Sequence, residues 1–212
     1  MIHYLIIVIC ILFILYYIMC KQGLYFPSLF PQLEILTDNY EIIKKEYEQC
    51  NISYDWPEKE LYSKDSEWKV IPLYAFGKWN KNVNFPKTIK ILEQIPDLKT
   101  ALFSKLGPKT TLKPHQGWAE LSNFVLRTHL GIQVPKKGKC GIVVKKSFRQ
   151  IENGKLITFD DSLMHYGLNE TEEDRVVLIV DIARPWWVPF GTSKVPKSSE
   201  LINMVNEILG EA

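Results

Sequence analysis

The chain has 212 residues, 46% hydrophobic and 24% charged, with a formal net charge of +2. Such a composition supports one globular domain with a well-buried core and excludes a disordered or low-complexity chain. The basic residues are scattered rather than striped, so no strong field marks a nucleic-acid binder and none is expected as a partner.

From Tyr4 to Cys20 the sequence YLIIVICILFILYYIMC holds no charge and no helix breaker before Lys21. As a helix rising ~1.5 Å per residue this run is about 25 Å long, and Met1 and Ile2 extend it toward the ~30 Å of a bilayer core. Residues 1–21 are therefore expected to be a transmembrane anchor, making this a single-pass membrane protein. A cleaved signal peptide is the rival reading. It is disfavoured by the lack of a basic n-region, the lack of a small-x-small cleavage site near Cys20, and an apolar run longer than the usual h-region. Lys21 alone favours a cytosolic C-terminal side, while Lys44 and Lys45 are mixed with acids, so the side of the membrane is left open.

Residues 22–37, with the Pro- and aromatic-rich GLYFPSLFP, read as a linker ahead of a domain over 38–212. Asp38 is placed to cap a first helix, with Glu41 at the capping-box position and Ile42, Ile43, Glu46 and Tyr47 on one face. Thr88 is placed to cap a second helix running through IKILEQI to Pro96. The pattern then becomes short apolar runs separated by Gly, Pro and Asn, with one earlier run of the same kind: residues 70–76, 100–106, 124–132, 140–146, 155–159 and 175–182. Strands at this spacing argue for an all-β sandwich or barrel rather than βαβ units. SSELINMVNEILG reads as a last amphipathic helix stopped at Gly210. Cys50 and Cys140, the cysteines outside the anchor, have neither zinc-site nor disulfide-framework spacing. Asn51 and Asn169 head glycosylation sequons, a pattern too common by chance to carry weight.

Three of the four histidines, His115, His129 and His165, fall in the strand-rich part. Taken singly, each is more often a structural residue than a ligand. Their neighbours shift that balance. Arg127 and His129 are two apart on a strand and so point to one face. Arg175 opens an apolar run and must either reach solvent or meet a buried carboxylate.

Together these segments resemble the aspartyl/asparaginyl β-hydroxylase family of Fe(II)- and 2-oxoglutarate-dependent oxygenases. The resemblance runs from EWKVIPLYAFG at Trp68 through PKTIKILEQIP, ALFSKL, KPHQG, LRTHLGI and ITFDDSLMH to RVVLIVDIARPWW. It implies a mainly β, double-stranded β-helix of jelly-roll or cupin-like form with flanking helices. It further implies iron held by His115 and His165, and 2-oxoglutarate whose distal carboxylate is held by Arg175 and Ser104. Arg127, Thr128 and His129 match a segment contacting cosubstrate and substrate carboxylates, and Trp68 a tryptophan lining the cosubstrate pocket.

The chemistry requires these residue types. Neutral imidazoles suit Fe(II), and the planar guanidinium fork suits a carboxylate that a hydroxyl also bonds. The usual iron site adds a carboxylate two residues after the first histidine, and here that residue is Gly117. The family implied also has glycine there, with water in the carboxylate's place. Chloride instead of water would give a halogenase, and Asp160, Asp161 and Glu120 are the candidate substitutes. Alternatively the paired aspartates shape their loop through backbone amides. Trp186 and Trp187 either line a substrate groove or cover the end of the barrel, and Lys136, Lys137 and Lys139 form a solvated turn.

The expected activity is hydroxylation of Asp or Asn side chains of a polypeptide with O₂ and 2-oxoglutarate. Hydroxylation of a lipid acyl chain is the alternative with the same chemistry. A non-catalytic β-barrel binding protein is disfavoured, because Ser104, His115, Arg127, His129, His165 and Arg175 are all present together.

Overall fold

A computed structural model describes residues 2–210. The elements are, in order, α1 (Ile2–Gln22), β1 (Leu24–Tyr25), α2 (Glu34–Asp38), α3 (Tyr40–Glu48), β2 (Tyr54–Asp55), β3 (Trp68–Ala75), β4 (Lys78–Trp79), α4 (Pro86–Leu92), β5 (Leu98–Leu106) and β6 (Thr110–Thr111). They continue with α5 (Ala119–Ser122), β7 (Val125–Gln133), β8 (Cys140–Val144), β9 (Ser147–Gln150), β10 (Leu156–Phe159), β11 (His165–Asn169), β12 (Arg175–Ala183) and α6 (Ser199–Leu209). Every strand pair is antiparallel. The larger sheet runs β1-β10-β7-β12-β5-β3-β2, with β4 beside β3, and the smaller runs β6-β11-β8-β9. This is the mainly β, jelly-roll form with flanking helices that the family resemblance implies.

The period of two explains why β12 reads as an unbroken apolar run. Val176, Leu178, Val180 and Ile182 join Ile71, Leu73, Phe103, Leu126 and Leu130 in a core closed by Leu33, Leu36, Ile43 and Leu92 of the helical layer. Arg175, Val177, Ile179 and Asp181 alternate onto the face turned to the smaller sheet. Both faces are covered, so hydrophobic residues fill both registers except where the site requires charge.

Two helix starts differ from expectation. Asp38 ends α2 rather than capping α3, whose N-cap is Asn39 without a side-chain bond. Helix α4 starts at Pro86, whose fixed φ suits the first turn, and Thr88 lies inside it. The cap comes instead from α3, because the Glu46 carboxylate accepts from the Lys87 and Thr88 amides and the Thr88 hydroxyl at 2.8–3.0 Å. A tertiary contact supplies what a local side chain usually does.

The segment read as a linker is folded into the domain. Leu24 and Tyr25 pair with Phe159 and Thr158, and Phe30, Leu33 and Leu36 are fully buried. Helix α6 forms as expected, capped by Ser198 and ended at Gly210 with φ +80°. The Asn169 amide is buried and donates to the carbonyls of Leu106, Gly107 and Glu173. It is thus a structural brace and no glycan acceptor in the folded chain. Among the described residues one helix, His3–Gln22, is long and apolar enough to cross a membrane, with mean hydropathy 2.5.

Candidate active site

A cavity of about 450 Å³ lies between the two sheets. His115 and His165 meet there although they are far apart in sequence, because each donates its backbone N–H to the other's carbonyl at 2.9 Å. Their ring centroids are 4.5 Å apart. Nδ1 of His115 lies 2.8 Å from the Lys113 carbonyl, and Nδ1 of His165 the same distance from that of Leu163. A carbonyl only accepts, so both Nδ1 atoms carry the proton and both Nε2 atoms present a lone pair. Burial holds both imidazoles below their ordinary pKa, His165 far below. The two rings are thus neutral, oriented by backbone, and ready as metal ligands.

Asp161 stands beside them. Its Oδ1 is 3.3 Å from His165 Nε2, an acceptor facing an acceptor, and the Arg127 guanidinium bonded to the same oxygen offsets the repulsion. A β-carbon on Gly117 would collide with the Asp161 carboxylate. The space that a carboxylate from position 117 would need is therefore taken by one from position 161. Burial pushes the Asp161 carboxyl up, against the pull of Arg127. Chloride there would face a carboxylate, which disfavours the halogenase reading. Asp160 has the loop-shaping role instead. It accepts from the Ser162 amide and hydroxyl and pairs with both terminal nitrogens of Arg184. Glu120 forms a surface pair with Lys197 at 3.6 Å and takes no part. Among the described residues no group of three or more His, Cys, Asp or Glu is arranged to hold a metal.

Arg175 projects into the same cavity and is 2% exposed. Among the described residues no carboxylate pairs with it, and its Nε has no hydrogen-bond partner. Burial lowers its pKa to about 10, partly offset by the neighbouring Cys140 thiol. A buried cation without a counter-charge is expensive, and the cost is removed by an anion brought from outside. Ser104 lies on the adjacent strand, 2% exposed, and its Oγ accepts from Trp68 Nε1 at 3.0 Å, which leaves the hydroxyl proton for the cavity. Trp68 is held in turn by stacking on Trp56 at 4.4 Å.

His129 faces the cavity two residues from Arg127, as strand periodicity requires, and burial holds it neutral. Among the described residues its Nδ1 has no hydrogen-bond partner. Thr128 points to the other face, where it bonds Thr158 across the strand pair at 2.9 Å, and it does not reach the cavity. Arg127 reaches it, but its donors are engaged by protein carboxylates: Nε and Nη2 bond Asp181 at 2.8 Å and Nη1 bonds Asp161 at 2.5 Å. Asp181 also accepts from Thr100. Sequence reasoning passes over Asp181, although a lone aspartate inside VVLIVDI must find a buried partner. It also passes over Trp56 and the α6 residues Leu201 and Met204 that line the cavity, for which no sequence signal exists. Trp187 stacks on Phe30 at 5.6 Å and covers the end of the barrel, while Trp186 is exposed.

Fold and site together define a double-stranded β-helix protein with a two-histidine centre beside an anion-seeking arginine. The chain belongs to the Aspartyl/Asparaginyl beta-hydroxylase family, whose family model matches residues 37–185. It is 34% identical to the Ornithine lipid ester-linked acyl 2-hydroxylase of Rhizobium tropici over 76% of this chain and 60% of that protein. It is 31% identical to the human Aspartyl/asparaginyl beta-hydroxylase over 66% of this chain and 19% of that protein. The chain therefore spans less than two thirds of either relative. A Pseudomonas putida prolyl-4-hydroxylase structure overlays with a TM-score of 0.48 at 9% identity, covering 69% of this chain and 88% of that one.

Proposed function

We propose that the protein is an Fe(II)- and 2-oxoglutarate-dependent dioxygenase that hydroxylates an unactivated carbon. The balance is R–H, 2-oxoglutarate and O₂ giving R–OH, succinate and CO₂. The observation that carries this reading is Arg175, a buried cation with no protein anion, in the same cavity as two facing neutral imidazoles. His115 and His165 would hold the iron through Nε2, and Arg175 with Ser104 would hold the far carboxylate of the cosubstrate. Iron bound there supplies the redox chemistry with O₂. The protein's own part is to fix ring orientation through Lys113 and Leu163, to neutralise the dicarboxylate, and to exclude water with Trp56, Trp68 and Trp118.

Two substrate classes share this chemistry. Hydroxylation of Asp or Asn in a polypeptide is supported by the family and by the human relative. The cavity favours the other class, a lipid acyl chain. Its outer part is lined by Trp56, Leu61, Phe76, Leu201 and Met204, with Glu58 and Glu60 in the lining and the Lys197 ammonium over the Phe76 ring. An aspartate side chain would find Arg127 already matched by two carboxylates. Helix α1, read as a membrane anchor, would hold the domain beside such a substrate, and the Rhizobium tropici relative is named for an acyl substrate.

The experiment is isothermal titration of the full-length protein in detergent with 2-oxoglutarate in the presence of Mn(II), followed by succinate release on lipid vesicles and on Asp- or Asn-containing peptides. Binding that requires the metal and is lost in His165→Ala supports the oxygenase. Metal-independent binding, or none, overturns it. Succinate released on vesicles and not on peptides supports the acyl chain, and the reverse restores the polypeptide.

A further inference from the structure

We propose that the turn at residues 185–190 is a second membrane contact, seated in the bilayer interface beside the base of α1. The proposal rests on the reading of α1 as a membrane span. Helix α1 runs unbroken from Ile2 to Gln22. At a rise of ~1.5 Å per residue it is about 31 Å long, which matches a hydrocarbon core of ~30 Å with almost no slack. Tyr16 lies six residues before the helix end. Its level is therefore ~9 Å back along the axis, at or within the membrane boundary.

The domain is in contact with the helix at that level. The Tyr16 hydroxyl donates to the Trp187 carbonyl at 2.5 Å, and Tyr16, Met19 and Cys20 join the core that contains Tyr25, Phe30 and Trp187. A span whose last turns pack on the domain carries the contacting part of the domain to the depth of those turns. The side chains presented there fit that depth. Trp186 is 95% and Phe190 77% exposed, and Phe190 packs edge-on against the exposed Phe124. Phe26, two residues beyond Leu24, is exposed as well. An exposed indole four residues from a packed pair of exposed phenyl rings, near the end of a span, suits the aromatic zone at a membrane interface.

Three of the turn's carbonyls are also partnered within the protein, which lowers the cost of a partly dry setting. The Trp187 carbonyl is bonded by Tyr16, that of Pro189 by Arg184 at 2.7 Å, and that of Pro185 by the Val188 amide. Arg184 is itself neutralised by Asp160. Beside the helix end the Lys145 ammonium donates to the Lys21 carbonyl at 2.7 Å, at the level expected of headgroup phosphates. The same junction carries the iron-side loop: the Asp160 amide donates to the Gly23 carbonyl, and Leu163 fills the space a β-carbon on Gly23 would need. Met164, one residue further, lines the cavity. Docking the turn thus fixes the height of the cavity above the bilayer.

The test uses the full-length protein in phosphatidylcholine vesicles whose acyl chains carry bromine near the headgroup. Retention of the protein in the vesicles after alkaline carbonate washing reports on α1 separately. In the retained protein, bromine is expected to quench tryptophan emission, and Trp186→Phe is expected to lose the larger part of that quenching, with aqueous iodide unable to reach Trp186. Equal quenching of wild type and Trp186→Phe in carbonate-resistant protein would overturn the docked turn and leave the anchor standing. Release by carbonate would overturn the anchor and the proposal with it.

Discussion

The two ends of the β7–β12 strand pair each bury an arginine, and the protein treats them differently. At one end Arg127 faces Asp181 across the ladder and is closed by Asp161, so its charge is more than matched. At the other end Arg175 has the same cavity and greater burial but no carboxylate. A folded chain can satisfy a buried guanidinium from within, as Arg127 and Arg184 show. The unmatched charge at Arg175 therefore supports its proposed role of receiving an anionic ligand. Matched arginines brace the site, and the unmatched one is the proposed recruiter.

The largest effect should come from the matched end. Arg127→Met would strand Asp161 and Asp181 without a counter-charge, and a loss of ~3–5 kcal/mol is expected in urea denaturation of the metal-free protein. A loss below that of an ordinary surface substitution would remove the distinction between the two ends. At the unmatched end, Arg175→Lys should leave the denaturation midpoint unchanged and weaken 2-oxoglutarate by ~1–3 kcal/mol, because a point charge replaces a bidentate fork. Calorimetric titration showing equal affinity would mean that Arg175 recruits nothing.

His129 sharpens the comparison through pH. Burial, then Arg175, depresses its folded-state pKa below the ordinary 6.5. Below that value the unfolded chain takes up a proton that the folded chain does not, so folded stability should fall with pH by up to about 1.4 kcal/mol per unit from this group. His129→Gln should flatten the slope between pH 6.5 and 5.5, and an unchanged slope would count against a buried neutral imidazole. The smallest effect is expected from Ser104→Ala. Loss of one hydroxyl contact should cost about 1 kcal/mol of cosubstrate affinity, while a variant that binds as tightly as wild type would restrict Ser104 to holding Trp68.

Strand periodicity is enough to place Arg127 and His129 on one face, and the same rule puts Thr128 on the opposite face, where it bonds Thr158. The apolar runs mark β3, β5, β7, β8, β10 and β12, and Gly210 marks the end of α6, because both signals are local to the chain, while β11, which carries His165, follows no such run. The pairing of His115 with His165 is reached through resemblance, since no rule of spacing joins two strand ends so far apart in sequence. The caps of α3 and α4 escape local reading for a related reason: Glu46, which caps α4, belongs to another helix.

By itself, then, the sequence determined which apolar runs become strands, that Arg127 and His129 share a face, and that residues 4–20 form an apolar run of span length. Only the tertiary structure decided which charges meet. Asp161 and Asp181 close on Arg127 from separate elements, Asp161 takes the space above Gly117, and Arg175 is left without an anion. The physical reason is range. Backbone periodicity acts over a few residues, whereas the pairing of buried charges is set by which strands the fold brings side by side.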